Sequence, residues 1–345
     1  MTSKASHEGS SWWRRFLSLE LWQQITAGLV VVAVVPIAGF VGRLLLSSPK
    51  HSSASPPITA PIEPTGPASM PNESPVCATG SLQLIGSTAF MPIAQEAADA
   101  YKHACKGAAI SITDGDSAYG LTTVRDAVAS GSSSAGSMIA MYDGLPSATY
   151  TAGLSSYPVG VLIYSIVAHT GLFPALNITT GELRTIFVKP GEQGLVAVGR
   201  RAGSGSRQTF ITKVLHLNPG PPDKGNCPVP AGSTFSFTSC TEDSTADLLN
   251  FVNRTPNAIG YAEVYGPLTG YPQVSVINID NAASTPDSVR NGLYKFWTVE
   301  HLYAAVQPTM LAKDFLDFLP HYIKSNPPSD FIACSGAPKK LEADC

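Results

Sequence analysis

Two patterns of apolar and polar positions divide the chain. Leu21 to Gly42 holds no charged residue, a run long enough to cross a bilayer as one helix, with Pro36 tolerable inside it. Beyond Cys77 the apolar runs are short and their period alternates. Ser81 to Ile85 predicts a strand, Pro92 to His103 a helix with Ile93, Ala97 and Tyr101 on one face, Ala108 to Thr113 a second strand, and Leu121 to Ala129 a second helix. Farther on, Val159 to Ala168 predicts a long buried strand, Thr180 to Phe187 a helix opened by Thr179 or Thr180, and Leu195 to Gly199 a strand. Thr245 to Asn253 predicts a helix, Ala258 to Glu263 a strand, and Leu311 to Ile323 a helix with Phe315, Leu316 and Leu319 inward. Strand, polar turn, helix is the order of an α/β fold, whose ligands sit at the carboxyl ends of strands beside helix N-termini.

Charge gives the long apolar run a direction. Lys4, Arg14 and Arg15 precede it and only Arg43 and Lys50 follow closely. By the cytoplasmic bias of basic residues, 1–20 are expected inside as a tail, 21–46 to form a single transmembrane helix, and the rest to lie outside the cell membrane. Trp12, Trp13 and Trp22 suit the interface. A cleaved signal peptide is the competing expectation, with Ser52-Ser53-Ala54 as a passable cleavage site, although a signal h-region usually spans only about 7 to 15 residues. No cysteine lies near the end of the run, which excludes a bacterial lipoprotein anchor. Residues 47–76 are dominated by Ser, Pro and Ala and predict an extended tether. Of the 345 residues, 44% are hydrophobic, enough to bury a large core in 77–345, and the net charge of −3 offers no bulk attraction for nucleic acid.

All six cysteines, Cys77, Cys105, Cys227, Cys240, Cys334 and Cys345, follow the span, an even number on the side where disulfides persist. Many connectivities are open; pairing of nearest neighbours, Cys77 with Cys105, Cys227 with Cys240 and Cys334 with Cys345, is the simplest, and free buried thiols are the alternative. No C-x-x-C pair suggests zinc.

The candidate chemistry lies in Arg200-Arg201-Ala202-Gly203-Ser204-Gly205-Ser206-Arg207, where fixed positive charge stands beside a glycine and serine turn that opens a helical pattern. Hydroxyls and the free N–H groups of a helix start converge on one spot, glycines allow close backbone approach, and arginine keeps its proton at any working pH. Two further strand-to-helix turns carry hydroxyls, Ser87-Thr88 and Ser117. Each alone is ordinary helix capping. Converging on one cleft, they form a cage of neutral donors around an oxyanion, with Arg200 as its countercharge.

These residues resemble the substrate-binding proteins of phosphate-type ABC importers. Gly86-Ser87-Thr88-Ala89-Phe90-Met91-Pro92 resembles that family's first ligand turn and Asp116-Ser117-Ala118-Tyr119-Gly120 its second. Ile178 to Phe187 is similar to its helix before the arginine turn, Arg200 to Arg207 to its R-x-x-GSGTR turn, and Pro256 to Tyr261 to its PGAIGY strand. The resemblance runs from Cys77 to Ile323 and implies a class II periplasmic-binding-protein fold of two α/β lobes, 77–158 with 264–345 and 159–263, closing on a ligand by hinge motion. It implies ligand contacts from the backbone of Thr88, Ala89 and Phe90, from the hydroxyl of Ser117, from Arg200, and from Ser204, Gly205 and Ser206. It also implies a small oxyanion as ligand, phosphate first, an ABC permease as partner, and no cofactor. The chain departs from the family in three places. Met138 stands where the resemblance puts a ligand-facing aspartate, Asp143 matching a later structural acid; Ala89 replaces a common hydroxyl; and the segment from Phe187 to Arg200 is short. Loss of a carboxylate that accepts the proton of hydrogen phosphate and repels sulfate leaves phosphate specificity open, with Asp114 or Asp116 as substitutes.

Other classes fit less well. No G-x-S-x-G elbow, P-loop or H-E-x-x-H motif is present, and His103, His169, His216, His301 and His321 lack metal-ligand spacing, so neither catalysis nor a metal is expected. A tethered surface sensor or interaction module built on a degenerate binding fold is the alternative to transport.

Overall fold

The structure, a computed structural model, describes residues 75–228, 238–266, 268–337 and 345. The expected cytoplasmic tail, transmembrane helix and nearly all of the tether lie outside these residues. Among the described residues no helix is long and apolar enough to cross a membrane.

The chain opens with β1 (Gly80–Ser87), α1 (Met91–Ala104), β2 (Ala108–Gly115), α2 (Ser117–Ala129) and β3 (Met138–Asp143). It continues through β4 (Leu154–His169), β5 (Asn177–Ile178), α3 (Thr180–Val188), β6 (Val196–Arg200) and α4 (Gly205–Thr209), which runs on as a π-helical turn, Phe210–Val214. The remainder is β7 (Ser239–Glu242), α5 (Thr245–Arg254), β8 (Ala258–Glu263), β9 (Val274–Ile279), α6 (Pro286–Arg290), β10 (Trp297–Ala305), α7 (Met310–Ser325) and β11 (Phe331–Ala333). Local chemistry sets the starts of the helices. The Asp116 carboxylate accepts from the Tyr119 N–H and pulls the start of α2 to Ser117, ahead of the Leu121 that the apolar pattern indicates. Thr179 and Glu182 close a capping box at α3, and Ser204 and Ser244 cap α4 and α5.

The strands form a mixed sheet in the order β2-β1-β3-β10-β4-β8-β6-β7, with β9 and β11 also on β4. β1 is parallel to β2 and β3, and β6 is parallel to β7 and β8. The 16-residue β4 joins the two parallel groups: Leu154 to Ile163 pairs with β10, and Tyr164 to His169 with β8 and β9. At the level of pairing, the change of lobe therefore falls at Ile163 and Tyr164. β9 pairs with the second part of β4, although it lies beyond residue 263.

Burial follows the expected faces. Ile93, Ala97 and Tyr101 of α1 meet Phe315, Leu316 and Leu319 of α7 in one core, where Tyr101 packs edge-on against Phe315 and Phe318 at 5.8 and 5.2 Å. Val196, Val198, Leu248 and Val252 form a second core beneath β6 and α5. The structure contains the bridges Cys77–Cys105, Cys227–Cys240 and Cys334–Cys345, which are the nearest-neighbour pairs. The first ties the chain ahead of β1 to the end of α1.

Candidate functional site

Two groups of parallel strands end at one cleft, β1, β2 and β3 in one and β6 and β7 in the other. β1 ends at Ser87, β2 at Gly115, β3 at Asp143, β6 at Arg200 and β7 at Glu242. Thr88, Ala89, Asp116, Ser117, Asp143, Arg200 and Ser204 line one small cavity there. Thr88, Ala89, Ser117, Arg200 and Ser204 are thus brought together as the sequence suggests. Gly205 packs against the Asp143 backbone, where a Cβ would collide with the carbonyl oxygen. Ser206 is buried behind Ser204, their hydroxyls 2.8 Å apart. Phe90 is placed differently: its N–H donates to the Ser87 hydroxyl at 3.2 Å and its ring sits in the core, 6.2 Å from that of Phe331. Its role is to hold the first turn.

Arg200 is only 2% exposed. Its Nη2 donates to Thr88 Oγ1 and to the Asp243 carbonyl, both at 2.8 Å, its Nη1 to Thr245 Oγ1 at 3.1 Å, and its Nε to the Glu242 carbonyl at 3.3 Å. All four acceptors are neutral oxygens, so the fork is held rigidly while its charge is left without a bonded anion in this set. Arg207 is turned away. It donates to the carbonyl of Arg200 and to that of Pro221, each at 2.7 Å, and so fixes the turn from behind. Arg201 pairs with Asp243 at the surface.

The carboxylate of the cleft is Asp143, which corrects the assignment of that position to Met138. β3 runs parallel to β1, with Gln83 opposite Met138 and Gly86 opposite Met141, so the strand enters at Met138 and reaches the cleft only at Asp143. At ~3.3 Å per residue the two positions are some five residues, about 16 Å, apart. Met138 is half-buried, its sulfur 3.9 Å from the Ser134 hydroxyl. Asp143 is 3% exposed and accepts from the hydroxyls of Ser117 and Tyr164. Asp116 also lines the cavity, as the N-cap of α2. Asp114 is exposed outside it.

A model of the PBP superfamily domain matches residues 71–320. The chain belongs to the PBP superfamily. Within the superfamily it is similar to the phosphate-binding protein PstS of Bacillus subtilis (strain 168), 28% identical over 259 residues that cover 70% of this chain and 76% of that protein. Among solved structures it is similar to a substrate-binding protein assigned to a phosphate ABC transporter, with bound phosphate, from Clostridium perfringens (21% identity, TM-score 0.59, covering 74% of this chain and 99% of the other). It is also similar to an ABC-type phosphate transport receptor from Vibrio cholerae (17% identity, TM-score 0.50, covering 72% and 98%). These two likenesses show the fold.

The cleft of this PBP-superfamily domain also contains groups the sequence did not single out. Thr245 bridges Arg200 to Glu263, donating to Glu263 Oε2 at 2.8 Å. Burial, with a smaller push from Asp143, raises the Glu263 carboxyl to about 7 against the pull of Arg200. Burial first and Asp143 second also push Glu300 well above the usual carboxylate range. One signal for Asp143 was present in the chain: the acid closes the run from Met138 to Tyr142, where a parallel strand delivers its last residue to the ligand crevice.

Proposed function

We propose that this protein is an extracytoplasmic, membrane-anchored solute-binding protein that holds phosphate between its lobes and delivers it to an ABC importer. The observation that carries this is the buried Arg200 fork, bound only to neutral oxygens and facing the hydroxyls of Ser117 and Ser204 across a cavity lined by both lobes. A cation without a bonded counter-anion in a buried cleft is favourable when an anion completes it. Thr88, Ser117 and Ser204 supply hydroxyls around the cavity, Ser206 supports Ser204 from behind, and the backbone of Ala89 lets the ligand come close. Asp143 gives the selectivity that the resemblance led one to doubt. It accepts the proton of hydrogen phosphate and repels sulfate, which has none to offer. The similarity to PstS and to the phosphate-bound relative supports phosphate as the ligand.

Calorimetric titration of the full-length protein with phosphate and with sulfate tests the assignment. Micromolar phosphate binding with weak sulfate binding is expected. No heat with either would leave the tethered sensor or interaction module as the better description. The anchor is tested separately by mass spectrometry of the native protein, where a mature N-terminus near Ser55 would remove it.

A further inference from the structure

We infer that the site accepts phosphate carried on an uncharged organic group, as a phosphate monoester or phosphonate, with the substituent lodged in the adjoining cavity. The inference rests on Arg200 holding an anion, as proposed above. Beside the small cavity lies a second one of about 440 Å³, within the size range of small-molecule sites. The two adjoin, since Thr88 and Ala89 line both. The Thr88 and Thr245 hydroxyls that hold the Arg200 guanidinium also line the larger cavity, so an anion on Arg200 sits against a wall the two cavities share.

The walls of this cavity choose the substituent. Met91, Leu249, Leu268 and Tyr271 give it an apolar surface, and Tyr265 is fixed in place by its hydroxyl bond to the Ala89 carbonyl at 2.9 Å. No lysine or arginine lines it, while Glu263 and Asp114 do. A second anionic group on the ligand would therefore meet like charge, whereas a neutral apolar group is matched. Ala89, where a hydroxyl is common in similar turns, places a methyl group at the junction.

The test is titration of the full-length protein with inorganic phosphate, phenylphosphonate and carboxyphenylphosphonate, together with the variants Ala246→Trp and Thr269→Trp. Both positions line the larger cavity, both are exposed, and neither belongs to the anion cage, so folding is not at stake. Phenylphosphonate is expected to compete with phosphate, and its carboxylated form to bind at least tenfold more weakly. Each tryptophan should weaken phenylphosphonate at least tenfold and leave phosphate within about twofold, as filling the cavity removes the buried ring's contribution. Phosphate binding without competition by phenylphosphonate would overturn the inference and leave the anion site standing. So would an equal loss of both ligands in the tryptophan variants. Failure of both ligands to bind the wild type would instead remove the anion site itself.

Discussion

On one wall of the cleft, the turns after β1, β2 and β3 present Thr88, Ser117 and the Asp143 carboxylate; on the other, the turns after β6 and β7 present Arg200, Ser204 and Thr245. Both walls use the same local device, a parallel strand ending in a turn capped by a hydroxyl or carboxyl side chain. Their charges are opposite. The second wall carries the fixed cation and the first a buried carboxylate. On the function proposed above, affinity would rest on the former and selectivity on the latter, so substitutions on the two walls should change different quantities.

The largest effect is expected on the cationic wall. Arg200→Ala removes the cation of the cleft, four of whose five N–H donors are held by protein oxygens, and with it a charge-assisted hydrogen bond of about 1.5 to 3 kcal/mol, so phosphate affinity should fall about tenfold to a hundredfold. Arg207→Ala should cost no more than about threefold, because Arg207 braces the Arg200 carbonyl and does not face the cavity. Titration calorimetry of the two variants checks this, and similar losses in both would mean that the turn, not the charge, dominates.

The next effect concerns how closely the walls approach. Gly205 lies against the Asp143 carbonyl, a backbone atom that cannot swing aside, and Gly203 against the Asp116 side chain, which can. Overpacking costs about 1 to 3 kcal/mol, so Gly205→Ala should weaken phosphate about tenfold and more than Gly203→Ala does. Small-angle scattering with saturating phosphate should show a more open Gly205→Ala protein; an unchanged profile and affinity would show that the walls need not meet there.

On the acidic wall, Asp143→Asn should alter preference more than total affinity. An amide donates as well as accepts, so sulfate should gain while phosphate loses, and the phosphate-to-sulfate affinity ratio should fall at least tenfold. Met138→Asp, at the far end of β3, should leave that ratio unchanged. A shift with Met138→Asp and none with Asp143→Asn would restore the assignment drawn from the sequence.

That misplacement shows what the chain makes legible and what it does not. The period of the apolar runs located α1, α7 and β8 nearly to the residue, because their buried faces are continuous and their caps are local. The hydroxyl turns and Arg200 were visible for the same reason, each being a short segment whose chemistry does not depend on distant partners. Asp143 was misassigned because its role depends on which end of β3 reaches the cleft, a matter of strand direction relative to β1. Thr245 and Glu263 were legible only as a helix start and a strand end. They belong to the site because β7 and β8 flank β6, a pairing across 40 and more residues that no local pattern records. β9 was missed as a strand altogether, since its burial does not keep the period of two that marks a strand.

The smallest effect joins the two walls through Glu263, which lies on the cationic side and feels Asp143 on the other. Its carboxyl is raised from 4.5 to about 7, first by burial and then by Asp143, while Arg200 opposes the shift. Below about 7 the group is protonated and neutral and adds no charge beside Arg200. As pH rises through that value Glu263 becomes negative, linked to Arg200 only through the Thr245 hydroxyl, and it competes with the bound anion for the same cation. The sign follows: anion binding favours the protonated form, so binding takes up protons and affinity falls as pH rises. Glu263→Gln keeps an acceptor for Thr245 and removes the titration. Since phosphate itself changes charge near neutrality, the quantity to measure is the wild-type affinity divided by that of Glu263→Gln, followed by calorimetry across pH. This ratio should fall several-fold on passing from below to above about 7, the size expected for a charge screened by an intervening hydroxyl in a partly polar cleft. A flat ratio would show that Glu263 does not change its charge beside the anion over this range.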